Sequence, residues 1–412
     1  MADNQNKATS PGSFGRREFL AGAAAMAVAA VQSGCSQAEP EKKAKYRVAV
    51  IGHTGRGDYG HSLDKVWLEI PDVQIVAVAD PDEKGRAEAV ERLKNPKGYS
   101  DYRKMLDEVK PDLVSVCPRW IDQRCDMVVA AAERGVRGIY MEKPMCRTLA
   151  EADAMVAACE KHKVKLAVAH QTRYSPKLAH VWELIKSGKL GSIVEIRARG
   201  KEDKRGGGED LLVLGTHMLN LAHHFGGDPE LCFASVYQNG HPIGKGDVVE
   251  GEEGLGLLAG DNVHAMYRLK SGAVAYFDSV RENPGRPNRF GVQIYGTKGV
   301  VQLFDPGHLP DMYYLPDSSW GQGRSKVKEW IPISSVGVGK PEVLENRRVE
   351  GGNVLAANDL IAAIDEDRQP QSSIYEARTA LEMIAAVFES QRLGAPVKFP
   401  LANRENPLAS IA

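Results

Sequence analysis

The chain has 412 residues, long for one hydrophobic core, which points to two domains. Lys plus Arg number 53 against 54 Asp plus Glu, a formal net charge of -1, so neither nucleic acid nor an anionic membrane surface is implied as a partner. Hydrophobic residues make up 43%, the content of a globular protein, and no period of about 20–50 residues recurs as a solenoid or propeller would require.

Near the start, Gly15-Arg16-Arg17-Glu18-Phe19-Leu20 runs into an apolar stretch from Ala21 to Val31. This is the pattern of a twin-arginine export signal, a route for proteins that leave the cytoplasm folded, often with cofactor bound. The apolar segment Phe19 to Val31 is too short to span a bilayer, which takes about 20 residues. Two processing routes stay open: cleavage after Ala27-Val28-Ala29, or a lipobox ending at Ser33-Gly34-Cys35 with Cys35 as a lipid anchor. Residues 1–35 therefore read as the signal, and the expected location is the periplasm or a membrane anchor facing it. Residues 36–45 are polar, without periodicity, and read as a tether. The six cysteines include no CxxC pair, which argues against zinc.

From residue 46 apolar strands alternate with helical patterns. Strands are predicted at 47–51, 73–79, 113–117, 138–141 and 165–169, with helices at 127–134 and 149–162 between them. That alternation predicts a doubly wound parallel sheet, a Rossmann domain over 46–170. After Gln171 the pattern changes. A helix at 177–187, a strand at 193–200 and a helix at 216–225 lead into strands at 232–238, 262–269, 273–280, 290–295 and 300–304. Residues 305–340 read as an irregular excursion, and helices return at 356–364 and 374–393. This predicts a second α/β domain over 171–400, with a large, mostly antiparallel open sheet.

Gly52-His53-Thr54-Gly55-Arg56-Gly57 follows the first strand and is expected to open a helix. Such a turn brings backbone close to a pyrophosphate and sets it on the helix N-terminus. Thr54 stands where the usual fingerprint has its middle glycine. Asp80 ends the second strand 23 residues after Gly57, where an acid would hold a ribose 2′-hydroxyl and repel a 2′-phosphate, so NAD is favoured over NADP. Glu142-Lys143-Pro144-Met145 follows the strand at 138–141 and sets a lysine at the carboxyl end of a parallel strand, where such sheets bind ligands.

With these landmarks the chain resembles the glucose–fructose oxidoreductase / inositol dehydrogenase (Gfo/Idh/MocA) family. Gln171-Thr172-Arg173-Tyr174-Ser175-Pro176 and Gly206-Gly207-Gly208 leading to Gly215-Thr216-His217 carry it further, over roughly residues 46–400. The resemblance implies that Lys143 assists proton transfer at a substrate carbinol and that His217 is a second acid/base or substrate-binding group. It also implies that Arg173 and Tyr174 lie near the substrate, and that the second sheet forms a homo-oligomer interface. Cys117, Pro118, Arg119 and Glu142 fall beside the cofactor in this pattern. Two departures stand out. Val213 replaces the acid that commonly lies four residues before the histidine, so either Asp210 substitutes for it or His217 acts without an acidic partner. Cys117-Pro118-Arg119-Trp120 replaces a Thr-Pro-Asn loop, leaving Arg119, Trp120 and Arg124 as cofactor contacts, sugar contacts or packing. His217 and His224 share a helix face, yet nothing in the pattern asks for a metal.

The resulting expectation is an exported NAD-dependent oxidoreductase moving hydride between nicotinamide and a sugar or polyol carbinol. An exported enzyme is cut off from the cytoplasmic cofactor pool, so it would keep its nicotinamide and regenerate it in place. A redox-neutral glycoside hydrolase of the same fold and a non-catalytic sugar-binding lipoprotein are the two other readings.

Overall fold

A computed structural model describes residues 44–282, 289–319, 329–345 and 349–411. The twin-arginine pattern, Cys35 and most of the tether lie outside the described residues.

The first sheet is built from β1 (Tyr46–Ile51), β2 (Val73–Ala79), β3 (Lys97–Tyr99), β4 (Leu113–Val116), β5 (Gly138–Met141) and β6 (Lys165–Val168). Its order is β3-β2-β1-β4-β5-β6 with every pairing parallel, the doubly wound arrangement expected. The helices α1 (Glu83–Arg92), α2 (Tyr102–Val109), α3 (Arg124–Glu133) and α4 (Leu149–His162) alternate with the strands. Asp82, Asp101 and Thr148 start α1, α2 and α4 by accepting a hydrogen bond from a first-turn amide.

No α-helix opens at Gly57, contrary to the sequence reading. Gly55, Gly57, Asp58, Gly60 and Ser62 all take positive φ, which a helix cannot accommodate. The segment instead runs through tight turns to a short 3-10 turn, Val66–Glu69. The sheet face that such a helix would cover is filled from elsewhere. Trp67 of the 3-10 turn packs there with Tyr46, Val48 and Val50 of β1 and Tyr140 of β5, joined by Ala356, Ala357 and Leu360 from near the end of the chain.

The second domain contributes α5 (Lys177–Lys186), α6 (Gly208–Val213), α7 (Gly215–Gly226), α8 (Val349–Asp365) and α9 (Ile374–Leu393). Its large sheet has the strand order 337–338, 331–334, 311–315, 300–304, 291–296, 193–199, 274–280, 262–269, 229–238, 397–398. All pairings on this path are antiparallel except 193–199 with 274–280. Residues 305–340 are thus not simply irregular: Asp311–Leu315, Ile331–Ser334 and Gly337–Val338 extend the sheet. Alternation along Asn262–Leu269 and Val274–Val280 buries Ala265, Tyr267, Ala275 and Phe277 on one face. The other face carries a cross-strand row of Phe233, Met266, Tyr276, Arg197 and Gln293.

Candidate functional site

The glycine-rich turn closes on itself. His53 and Asp58 exchange backbone hydrogen bonds of 3.1 and 3.0 Å, and Asp58 Oδ1 accepts from the Gly55 amide at 2.9 Å. Its glycines permit close packing. A Cβ on Gly52 would lie 2.2 Å from the Tyr59 ring, and one on Gly57 would lie 2.4 Å from the Arg119 amide nitrogen. Gly57 also accepts a hydrogen bond from the Arg119 amide at 3.1 Å, tying the turn to the loop after β4. Arg56 pairs with Asp122 and lies over the Trp120 ring. The amides of Thr54, Gly55 and Arg56 all have acceptors within the protein, so the phosphate-cradling role expected of Gly52, Thr54, Gly55 and Gly57 is not preformed.

Asp80 is fully buried. It accepts from the Thr54 amide at 3.1 Å, the Thr54 hydroxyl at 2.7 Å, the Tyr59 hydroxyl at 2.8 Å and the Asp82 amide at 3.0 Å. Asp80 thereby braces the turn from the strand end where the ribose contact is expected.

The opposite side of the cleft gathers the reactive groups. Glu142, at the end of β5, is fully buried, and Oε1 accepts from His61 Nδ1 at 2.5 Å and from the His61 amide at 2.9 Å. Oε2 accepts from the Lys143 amide at 2.9 Å. Burial alone would raise this carboxyl, but the His61 hydrogen bond and the charges of His61, Lys143 and Arg124 outweigh it and hold the pKa at about 2. Lys143 is buried, and its ammonium donates to the Val213 carbonyl at 3.2 Å. Burial pushes its pKa below the usual 10.5, with Arg124 and Arg205 adding to the effect and Glu142 opposing it. Val213 therefore enters the site through its backbone, where the family pattern has a carboxylate side chain.

His217 stands in the first turn of α7, beside Lys143 in the electrostatic field of the site. Burial and the charges of Lys143, His170 and His61 keep its ring neutral, well below the usual histidine range. Its Nδ1 is buried without a partner in the protein. The His170 ring meets it edge-on, centroids 5.3 Å apart, and is fixed in turn by the Ser372 and Thr216 hydroxyls at 3.1 and 3.0 Å. His61 and His170 escaped the sequence reading. Neither falls in a periodic pattern, and the only available signal was that a buried acid such as Glu142 needs a partner.

Other expected contacts have structural work. Arg173 donates to Asn220 Oδ1, the Gln371 carbonyl and Glu376, joining α7 and α9. The Tyr174 hydroxyl accepts from the Ser372 amide at 3.1 Å. Asp210 Oδ2 accepts from the Ser279 hydroxyl at 2.5 Å and the Glu202 amide at 3.0 Å, so it braces the loop after Arg199 and is not brought to His217. Arg124 is a buried clamp on the carbonyls of Pro118, Arg119 and Pro144. Cys117 and Pro118 are buried behind it, and exposed Arg119 pairs with Glu253 at 3.3 Å. At the far end of α7, His224 accepts from Trp182 Nε1 at 2.8 Å, away from His217.

A nicotinamide dinucleotide fits the cleft in outline. A cavity of about 350 Å3 opens at the carboxyl ends of β1 and β2, lined by Gly52, His53, Ala79, Ser100, Asp101 and Gln123 among others, the place an adenosine takes in this fold.

Residues 46–170 match the oxidoreductase family with an NAD-binding Rossmann fold, and residues 182–399 match the C-terminal alpha/beta domain of the same family. Levoglucosan dehydrogenase of Pseudarthrobacter phenanthrenivorans is 25% identical over 370 residues, covering 77% of this chain and 91% of the relative. D-apiose dehydrogenase of Paraburkholderia graminis is 31% identical over 219 residues, 50% of this chain and 56% of the relative. Among solved structures, a levoglucosan dehydrogenase in complex with NADH and levoglucosan superposes with a TM-score of 0.67 at 21% identity, covering 86% of this chain and 99% of that one. Because the match runs through both domains and the Glu142-Lys143-Pro144 turn stands at the strand end where the chemistry is read, this chain belongs to the Gfo/Idh/MocA family of NAD-binding oxidoreductases.

Proposed function

We propose that the chain is an exported oxidoreductase that oxidises a sugar carbinol and retains its nicotinamide between turnovers. The observation that carries the reading is Lys143: a buried amine with a depressed pKa at the carboxyl end of β5, beside a neutral histidine with a free nitrogen. Bound nicotinamide supplies the hydride acceptor. The Rossmann cavity would hold its adenosine, with Ser100, Asp101, His53 and Gln123 at the rim.

The chain's own part is proton management. A carbinol gives up hydride only as its hydroxyl proton is withdrawn, and the neutral Lys143 amine is the base for that proton. The Val213 carbonyl orients the amine. The neutral His217 ring stands beside the amine as the second group of the site. Relatives named for levoglucosan and D-apiose support a sugar as substrate.

Export is supported by Gly15 to Leu20 and the apolar run behind them, with either signal cleavage or a lipid anchor at Cys35. A homo-oligomer formed through the open sheet face is supported by the row of Phe233, Met266 and Tyr276. The test uses mature protein purified through its own export route. Nicotinamide released on denaturation is identified, and reduction is followed optically as levoglucosan, D-apiose and aryl glycosides are added. A sugar that reduces the bound cofactor, which stays reduced until an acceptor arrives, is the expected result. Aglycone release without lasting reduction would replace this reading with the redox-neutral glycosidase, and absence of nicotinamide binding would leave a sugar-binding protein.

A further inference from the structure

We propose that His61 is a second acid/base of the site, held by Glu142 through Nδ1 so that Nε2 carries the substrate proton between Lys143 and solvent. The inference rests on the oxidoreductase reading above.

Three contacts fix this residue. Glu142 Oε1 accepts from both the His61 amide, at 2.9 Å, and His61 Nδ1, at 2.5 Å. From the other side Asn353, fully buried on α8, donates Nδ2 to the His61 carbonyl at 2.8 Å. Asn353 Oδ1 is itself held by the Tyr140 hydroxyl at 2.7 Å and by Gln171 Nε2 at 3.1 Å. A histidine on a run of tight turns is thereby anchored to β5 and α8 at once. An incidental surface imidazole needs no such support.

The tautomer follows from the partner. Glu142 is ionised throughout the working pH range and can only accept, so the Nδ1 facing it bears the hydrogen. Nε2 is then the nitrogen left without a partner from Glu142. The side chain is 40% exposed, while Glu142 behind it is sealed from solvent. A buried carboxylate orienting an imidazole through one nitrogen, with the ring itself partly open to solvent, is the arrangement that makes histidine an efficient proton carrier. Glu142 Oε2 accepts from the Lys143 amide at 2.9 Å, so His61 and Lys143 flank one carboxylate.

The proton balance is simple. The carbinol hydroxyl loses its proton to the neutral Lys143 amine as hydride leaves to the bound nicotinamide, giving an ammonium buried where ammonium is disfavoured. His61 Nε2 takes that proton through water in the cleft, forming an imidazolium paired with the Glu142 carboxylate. It then releases the proton to bulk solvent, and Lys143 is again neutral. Lys143 has no exposed route of its own, since its amine is buried against the Val213 carbonyl.

Two measurements test this on the full mature chain. Nitrogen NMR of histidine-labelled protein, needing neither substrate nor added cofactor, should show His61 as the Nδ1–H tautomer, with the preference lost in Glu142→Gln. An Nε2–H tautomer in the wild type would overturn the proposal. With levoglucosan and D-apiose as probes, His61→Asn keeps a donor for Glu142 but cannot carry a proton. It should lower kcat about 100-fold with KM little changed, and free imidazole should restore part of the rate to His61→Ala. Wild-type turnover in His61→Asn would assign His61 a purely structural role. If the wild type oxidises no sugar, the proposed function fails, while the tautomer measurement still decides whether the Glu142–His61 pair is built as described.

Discussion

The hydroxyl of Tyr59 donates to Oδ2 of Asp80 across 2.8 Å, so the acid at the end of β2 serves the protein's own turn. The Thr54 amide and hydroxyl complete the brace, and the Arg92 guanidinium stacks on the outer face of the same tyrosine ring, 4.1 Å from its centroid.

Replacing Asp80 by Asn puts an amide NH2 where donors already converge. The expected loss is about 2 kcal/mol of stability, the scale for hydrogen bonds to a buried charged group. Thermal unfolding with each dinucleotide present reads both consequences: a lower melting temperature and little change in the ratio of NAD to NADP affinity. A gain in NADP affinity at unchanged stability would mark Asp80 as the ribose ligand.

Lys143→Arg keeps a cation but cannot supply a neutral base near neutrality. Turnover should fall by a factor of about 100–10,000 while nicotinamide binding persists. In the wild type the neutral amine accumulates as pH rises through the depressed Lys143 pKa, so kcat/KM should climb with a midpoint below 10.5, and the variant should lack that limb. Stability carries the same sign. Between the depressed value and 10.5 the unfolded chain holds a proton the folded chain has released, so this group's contribution to stability rises with pH.

Glu142 behaves in the opposite direction. Its pKa is about 2 in the folded protein against an ordinary 4.5, so its stabilising contribution is fully present above 4.5 and is lost as pH falls through about 2. The size is on the order of 3 kcal/mol. Glu142→Gln should flatten the acid limb of a denaturant-midpoint series between these values, and an unchanged limb would show that other carboxylates dominate acid unfolding.

Phe233 is 44% exposed at one end of the uncovered sheet row. Phe233→Arg should leave the melting temperature within a few degrees and shift the mass measured by light scattering toward the monomer. An unchanged mass would place any association elsewhere.

Arg16→Lys together with Arg17→Lys should hold the protein in the cytoplasm, as read by fractionation. Periplasmic recovery of this double variant would remove the twin-arginine reading.

Much of the fold is written in local pattern. Val73–Ala79 and Gly138–Met141 are short apolar runs between turn residues, and Leu149–His162 and Ile374–Leu393 carry helical periodicity to their ends, so their boundaries coincide with those observed. The strands of 305–340 escaped because they are short edge additions whose pairing is non-local. The helix expected at Gly57 failed for a nameable reason: Asp58 and Ser62 adopt left-handed backbone, and only the closed turn held by Asp80 shows that they must. Lys143 was legible because a strand end and a motif coincide there. Arg173 and Tyr174 were named by the resemblance alone, and their bonds to Asn220, Glu376 and Ser372 join positions far apart in the chain, which local pattern does not show. The Glu142–His61 contact spans 81 positions and leaves no trace in local sequence.

The packing of Ala356, Ala357 and Leu360 against Tyr46, Trp67 and Tyr140 also sets the order in which the molecule can be completed. The strands of the first sheet leave the ribosome early, yet one of their faces stays bare until residues 349–365 emerge. A fragment ending at residue 170 would therefore present an oily surface and should aggregate rather than bind nucleotide. This long-range closure makes the newly made N-terminal half dependent on the C-terminal helices.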